Sequence, residues 1–162
     1  MKTVMSLVMA ILLACLGGVA AADGAQRPDA VRLAQQVAAE NGWTMPQAGN
    51  TYYYLFDLVS NAQKTGFGTS FVLTNYSEDT RIHIQGFVVP KGANPNQKQP
   101  VDIYLNPFEV QYVSLSKYLG DENGWAYMWS VGHDFGAGAL LFNTPPTGGF
   151  SMTWIKPWYW VQ

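Results

Sequence analysis

The 162-residue chain has little charge and almost no cysteine. Charged residues make up 12% of the sequence, about half the usual share, whereas aromatic residues make up 14%. A single cysteine excludes an intramolecular disulfide, and with only two histidines a zinc site would need carboxylate ligands. Basic residues do not cluster and the formal net charge is −2, so we predict no nucleic-acid partner.

Long apolar runs are also scarce. The longest covers residues 4–16, which is shorter than the roughly 20 residues that a membrane-spanning helix needs. It follows Lys2 and precedes a small-residue site that ends at Ala22, which is the order of a bacterial-type secretion signal. We therefore predict a signal peptide over residues 1–22, no transmembrane segment in the mature chain, and a periplasmic or secreted protein.

Cys15 gives this leader a second interpretation. Residues 12–15, Leu-Leu-Ala-Cys, resemble a bacterial lipoprotein box, in which the cysteine carries a lipid anchor and becomes the new N-terminus. Cleavage after Ala22 fits the small-residue site better and leaves 140 of the 162 residues, the size of one domain. A domain of that size is expected to form its core without disulfides.

Residues 23–50 are expected to contain a short polar leader and one amphipathic helix. Pro28 suits the first helical position, and Asn41-Gly42 is a helix stop signal. The apolar positions between them recur at helical spacing, but they are rich in alanine. Because this stripe is narrow, we expect the helix to pack against a sheet edge or a partner subunit and to add little to the core.

The remaining residues, 51–162, predict a mainly β domain. Runs of β-forming residues alternate with turn-forming Gly, Asn, Pro and Asp, and most have no helix between them. We therefore predict an antiparallel β-sandwich or jelly roll of about eight strands. The run at residues 82–89 has apolar residues on both sides near its end, so both faces of that strand should be covered. The predicted strands are 51–60, 69–75, 82–89, 101–105, 108–115, 124–131, 137–143 and 150–155.

Residues 69–143 follow a pattern that is also found in a known family. The pattern begins with a strand that ends in an Asn turn, 71–75, and an alternating strand after an acidic turn, 81–84. A strand after Asn-Pro follows at 110–115, and two strands rich in aromatic or small residues follow at 125–127 and 138–141. This pattern resembles the small sandwich domains of the sensory-rhodopsin-transducer-like family. The resemblance implies a sandwich that binds a ligand or a protein and tends to oligomerise. The family's members are soluble intracellular transducers, whereas this chain begins with a predicted export signal, so the resemblance implies no rhodopsin partner and no site residue.

No catalytic or metal-binding pattern is present in the sequence. There is no Gly-x-Ser-x-Gly nucleophile elbow, and no Ser-His-acid set can be assigned. A glycosidase needs two facing carboxylates, for which Asp57, Asp102 and Glu109 are the candidates. We therefore predict a non-catalytic protein without cofactor or metal, and a hydrolase is the least favoured alternative.

Aromatic residues concentrate towards the C-terminus. Those of residues 125–129 alternate along one strand, which predicts a buried stripe. The later rings exceed what a sandwich core is expected to hold, and tryptophan and tyrosine offer flat faces on which sugar rings stack. For Trp158, Tyr159 and Trp160 the alternative is a C-terminal strand that covers a sheet edge or a subunit interface. The glycine-flanked His-Asp loop is a further candidate, with a turn stabilised by the Asp side chain as its simpler explanation. The predicted ligand-binding residues are Trp154, Trp158, Tyr159, Trp160, His133 and Asp134.

These patterns predict a non-catalytic exported binding module that recognises a carbohydrate or a partner protein through aromatic residues. The second hypothesis is a self-assembling structural or surface protein, a homo-oligomer that uses the Trp-rich C-terminus and the N-terminal helix. The Asn-Tyr-Ser sequence at residues 75–77 matches a glycosylation acceptor, but we interpret it as a turn.

Overall fold

The computed structural model describes residues 28–92, 97–144 and 151–161. The predicted signal peptide and the alternative lipid attachment at Cys15 lie outside these residues. Within them, one α-helix precedes nine β-strands. The elements are α1 Pro28–Asn41, β1 Thr51–Ser60, β2 Phe67–Thr74, β3 Ile82–Pro90, β4 Gln99–Leu105, β5 Val110–Ser114, β6 Asn123–Val131, β7 Gly136–Asn143, β8 Ser151–Ile155 and β9 Trp158–Val161.

The strands form two antiparallel sheets that pack as a sandwich. The five-stranded sheet has the order β4-β3-β6-β1-β9, and the four-stranded sheet has the order β5-β2-β7-β8. The predicted mainly β sandwich is confirmed, and the eight predicted strands lie within two residues of the observed bounds. Buried side chains of both sheets meet in one core, among them Phe56, Phe71, Ile84, Met128 and Ala139.

A second hydrophobic cluster lies on the other face of the five-stranded sheet, beneath α1. Ala34, Val37 and Ala38 of the helix are fully buried there against large rings such as Phe87 and Trp129. The expectation that the helix packs at a sheet edge and adds little to the core is wrong, since α1 contacts the interior strand β3. Small alanines let the helix approach the sheet closely, and the rings fill the space. Both faces of β3 are therefore covered, as its alternation predicts.

Aromatic rings connect three strands of the five-stranded sheet within this cluster. Tyr127 and Trp129 are fully buried and Trp125 is half-buried, so the predicted buried stripe is present under the helix. The Tyr53 ring stacks on Tyr127 with centroids 5.7 Å apart, and on Trp160 with centroids 5.6 Å apart. These contacts tie β9 to the centre of the sheet. No helix among the residues described is long and apolar enough to cross a membrane.

Candidate functional site

The six predicted ligand-binding residues lie in three separate places. Trp158 and Trp160 are two residues apart on the edge strand β9, so both side chains lie on the same face, the helix-covered side of the five-stranded sheet. The Trp158 indole N–H donates to the Asp57 carboxylate, and Trp160 stacks on Tyr53. Both tryptophans therefore help to hold the edge strand in place.

The loop before β7 is the second place. The Asp134 carboxylate accepts hydrogen bonds from the Tyr54 and Tyr159 hydroxyls at 2.8 and 3.2 Å, and from the Phe135 N–H at 2.8 Å. Burial and the neighbouring carboxylate raise the pKa of Tyr159 to about 12, so its hydroxyl stays protonated as a donor at neutral pH. The Asp134 side chain therefore holds this loop against β1 and β9. His133, the other predicted member of this loop, is exposed.

Trp154 lies in the third place, the outer face of the four-stranded sheet. Side chains on this face alternate with those that point into the core, and none of them is charged in the described strands. The register places these residues on the face: Gly68, Ser70, Val72, Thr74, Val110, Tyr112, Ser114, Gly136, Gly138, Leu140, Phe142, Met152 and Trp154. Together with Tyr76, which follows β2, they form a surface that we call the aromatic platform.

Two rings of the platform lie directly over glycines of β7. A β-carbon at Gly138 would come within 2.7 Å of three atoms of the Trp154 indole. At Gly136 it would come within 3.0 Å of three atoms of Tyr76. Each ring therefore lies against the backbone of the sheet, in the space that a side chain would fill.

A third ring repeats this arrangement at the other end of the platform. A β-carbon at Gly68 would lie within 3.3 Å of three atoms of the Phe142 ring on the neighbouring strand. Glycine within a strand is costly unless something else packs against the exposed backbone. The three pairs therefore place three rings of the platform where the strands carry no side chain of their own.

The turn after β2 positions Tyr76. Asn75 is buried, and its side-chain amide nitrogen lies 2.8, 3.2 and 3.0 Å from the carbonyl oxygens of Thr80, Leu105 and Asn106, which share its two hydrogens. These bonds fix the turn from three sides. The sequence that matches a glycosylation acceptor is therefore a turn, as predicted, and its asparagine is an internal anchor.

The platform is exposed to solvent. The exposed fractions of Trp154, Tyr76 and Tyr112 are 54%, 68% and 67%. Phe108 hydrogen-bonds through its N–H to the Ser77 carbonyl in the turn that carries Tyr76, and it is 66% exposed. Its φ of 55° is the one positive value recorded for a non-glycine residue of the described chain. An exposed aromatic surface with a strained residue beside it is typical of a binding site.

A cleft of about 340 Å³ adjoins the platform at its Phe142 end. Its lining contains no charged side chain. Hydroxyl and amide groups in it both donate and accept hydrogen bonds. The lining combines two phenylalanine rings with neutral polar side chains, chiefly Phe67, Phe142, Asn61, Thr69, Ser114, Ser116 and Thr144.

Asp57 and Asp102 do not lie close enough together to form the catalytic carboxylate pair of a glycosidase. These residues lie on β1 and β4, three strand spacings apart in one sheet, which is roughly 14 Å and too far for a catalytic pair. Glu109 accepts hydrogen bonds from the backbone and side-chain nitrogens of Asn106 at 2.7 and 3.0 Å. Among the described residues, no group of three potential metal ligands forms.

Comparison with known proteins gives a likeness of fold. The crystal structure of a Thermotoga maritima protein, Thermotoga maritima 1070, matches with a TM-score of 0.54 and 8% identity, over 72% of this chain and 97% of that one. No family model and no curated protein matches the sequence. At this identity the likeness supports the sandwich fold alone, so the resemblance to sensory-rhodopsin-transducer-like domains stays a prediction.

Sequence reasoning missed Tyr76, Tyr112 and Phe142 as members of the exposed surface. For Tyr76 a signal is present in Gly136, and for Phe142 in Gly68, the glycines that these two rings cover. Glycines on one face of a strand leave room for rings from neighbouring segments. Which rings fill that room depends on strand pairing, which local sequence patterns do not reveal.

Proposed function

We propose that the protein is a non-catalytic binding module that holds a neutral polysaccharide on the aromatic platform. The observation that carries this proposal is the position of the Trp154 and Tyr76 rings over Gly138 and Gly136. Both rings are more than half exposed, so each keeps ring surface open to a ligand. The C–H face of a sugar ring stacks on such a surface, because the carbohydrate hydroxyls at the ring's edge remain free for hydrogen bonds.

The absence of charge on the platform favours a neutral ligand. Acidic polysaccharides and nucleic acids are bound through cationic side chains, and none lies at the outward positions of the four strands. The neutral cleft beside Phe142 offers donors and acceptors to sugar hydroxyls where the aromatic surface ends. An aromatic surface without charge therefore fits a neutral sugar polymer better than a protein partner, whose interfaces usually have a polar rim.

The predicted secretion signal fits this function, since polysaccharides of the cell envelope or surroundings are accessible to an exported protein. We accordingly propose a periplasmic or secreted location. The resemblance to sensory-rhodopsin-transducer-like sandwich domains also supports a ligand-binding sandwich. The self-assembly hypothesis has less support, because the apolar stripe of α1 is buried within the chain.

The test compares two tryptophans with the same exposure, Trp154 and Trp158, both 54% exposed. Affinity electrophoresis through gels containing glucans, xylan, mannan, pectin or alginate measures binding. We expect retardation by at least one neutral polysaccharide, and a loss of about tenfold in W154A, because a stacked ring contributes about 0.5–1.5 kcal/mol beyond the area it buries. W158A should bind as the wild type does, since Trp158 lies on the other sheet.

Two results would contradict the proposal. The first is no retardation by any polysaccharide, and the second is an equal loss in W154A and W158A. Light scattering on the same samples tests whether a second copy of the chain covers the platform instead. A wild-type dimer that W154A converts to a monomer would assign the surface to self-association.

A further inference from the structure

A second cleft, of about 200 Å³, lies between β4 and β5. Each of these strands ends its sheet, so the cleft opens between two strand edges that pair with no other described strand. This side of the sandwich is opposite the side where β8 and β9 lie. The side chains that matter here are Asp102, Tyr104, Gln111, Tyr112, Lys117 and Tyr118.

Gln111 lines this cleft and has an unsatisfied acceptor in its side chain. Its side-chain oxygen Oε1 is buried and has no hydrogen-bond partner among the described residues. Buried polar atoms are nearly always paired, because losing water without a replacement partner is unfavourable. If the Gln111 side chain rotates to open this oxygen to the cleft, a ligand that donates a hydrogen bond would supply the missing partner.

The wall formed by β4 is held in place from outside the cleft. The Asp102 carboxylate is 2.5 Å from Nε2 of His83. The His83 ring stacks on Tyr104 with centroids 4.1 Å apart and planes 6° from parallel. The Arg81 guanidinium lies 4.5 Å from the centroid of the Tyr104 ring. Because these side chains are already positioned, a ligand pays little entropy to order them.

The cleft combines donors and acceptors with charges of both signs. Lys117 donates only, whereas the Asp102 carboxylate and the Gln111 oxygen accept only. Burial, and then the negative charge of Asp102, raise the pKa of Tyr118, so its hydroxyl stays protonated at neutral pH. A hydroxyl group both donates and accepts, so neighbouring hydroxyls of one sugar ring match this set. The Asp102 carboxylate would repel a simple anion, and the Lys117 ammonium group would repel a simple cation.

We propose that this cleft is a second carbohydrate subsite, which binds a single sugar unit through its hydroxyl groups. The choice of a sugar as ligand rests on the proposed function. Tyr112 belongs to both the cleft and the platform, so it connects the two surfaces across β5. A glycan that stacks on the platform would turn its end or a branch over β5 into the cleft.

The test substitutes Gln111→Met, which removes the amide and keeps the side-chain length. Gln99→Met is the matched control, since Gln99 is exposed on β4 and does not line the cleft. The probes are the methyl glycosides of glucose, galactose, mannose and xylose, titrated against labelled protein by nuclear magnetic resonance. We expect one of them to bind wild type, Q99M and W154A alike, and to bind Q111M at least tenfold more weakly.

Lys117→Met is a second test variant, which distinguishes loss of the subsite from loss of folding in Q111M. Lys117 is exposed, and K117M should also weaken glycoside binding while its thermal unfolding matches the wild type. The subsite is overturned if no methyl glycoside binds the wild type, or if Q111M and K117M bind as the wild type does.

The polysaccharide assay with W154A tests the platform separately. Retention of a polysaccharide without glycoside binding would overturn the subsite alone. Glycoside binding that depends on Gln111, without polysaccharide retention, would overturn the platform alone. Failure of both assays would overturn both proposals.

Discussion

Gly138 and Trp154 depend on each other at the outer face of β7 and β8. Trp154 pairs in register with Leu140, so its indole reaches diagonally across to Gly138. Diagonal neighbours in a sheet are within reach of aromatic side chains. Glycine at this position leaves the backbone bare, and the indole covers it. The direction in which the indole presents its free face therefore follows from a residue on another strand.

Gly138→Ala should displace the indole from the platform. The added β-carbon would overlap the ring, which is exposed enough to swing away, so stability should change by no more than about 1 kcal/mol. Polysaccharide affinity should fall by about tenfold, as in W154A, because the stacked face is lost. The Trp154 indole N–H signal, followed by nuclear magnetic resonance, reports the movement of the ring.

Gly120→Ala is the control for this substitution. A β-carbon at Gly120 would meet only the Glu122 carboxylate, at 3.9 Å. This variant should keep both the indole signal and the affinity. An unchanged indole signal and full affinity in G138A would show that the glycine does not set the ring's position.

At the scale of the element, α1 covers the outer face of the five-stranded sheet. Its buried residues are small, and the sheet supplies the large rings of the cluster. An ion pair between Glu40 and Lys98, with 3.0 Å between Oε2 and Nζ, fastens the C-terminal end of the helix to the segment before β4. The helix is therefore part of the folded domain and not a separate appendage.

Val37→Ser should destabilise the domain by about 1.5–3 kcal/mol, the value of burying an aliphatic side chain of this size. Gln35→Ser on the exposed side of the same helix is the control and should cost only a few tenths of a kcal/mol. Urea unfolding followed by tryptophan fluorescence compares the two. Equal losses would mean that the helix does not stabilise the sheet.

The sequence predicts where the strands and the helix lie along the chain, but it does not predict how they pack against each other. Strand positions follow from local alternation and turn residues, so all eight predicted strands are present. The ninth strand, β9, is not among the eight predicted strands, but a C-terminal strand that covers a sheet edge is the alternative that the sequence offers for Trp158, Tyr159 and Trp160, and β9 lies at such an edge. The docking of α1 was mispredicted because a stripe of alanines is weakly apolar by itself, and the rings that complete the cluster come from distant strands.

At the scale of the whole molecule, the sandwich has two outer faces with different coverage. The helix covers one, and among the described residues no element covers the platform on the other. A contiguous exposed apolar patch on such a face marks an interaction site. The position of the helix therefore indicates which face is free for a ligand.

The central claim, that the platform is the binding surface, is tested most directly by mapping a bound glycan onto the backbone. Amide signals of the labelled protein are followed by nuclear magnetic resonance during titration with a soluble oligosaccharide of the best-retained polysaccharide. We predict that the largest shifts fall on β7 and β8, at Gly136, Gly138 and Trp154. Largest shifts on β9, at Trp158 and Trp160, with β7 and β8 unmoved, would contradict the account.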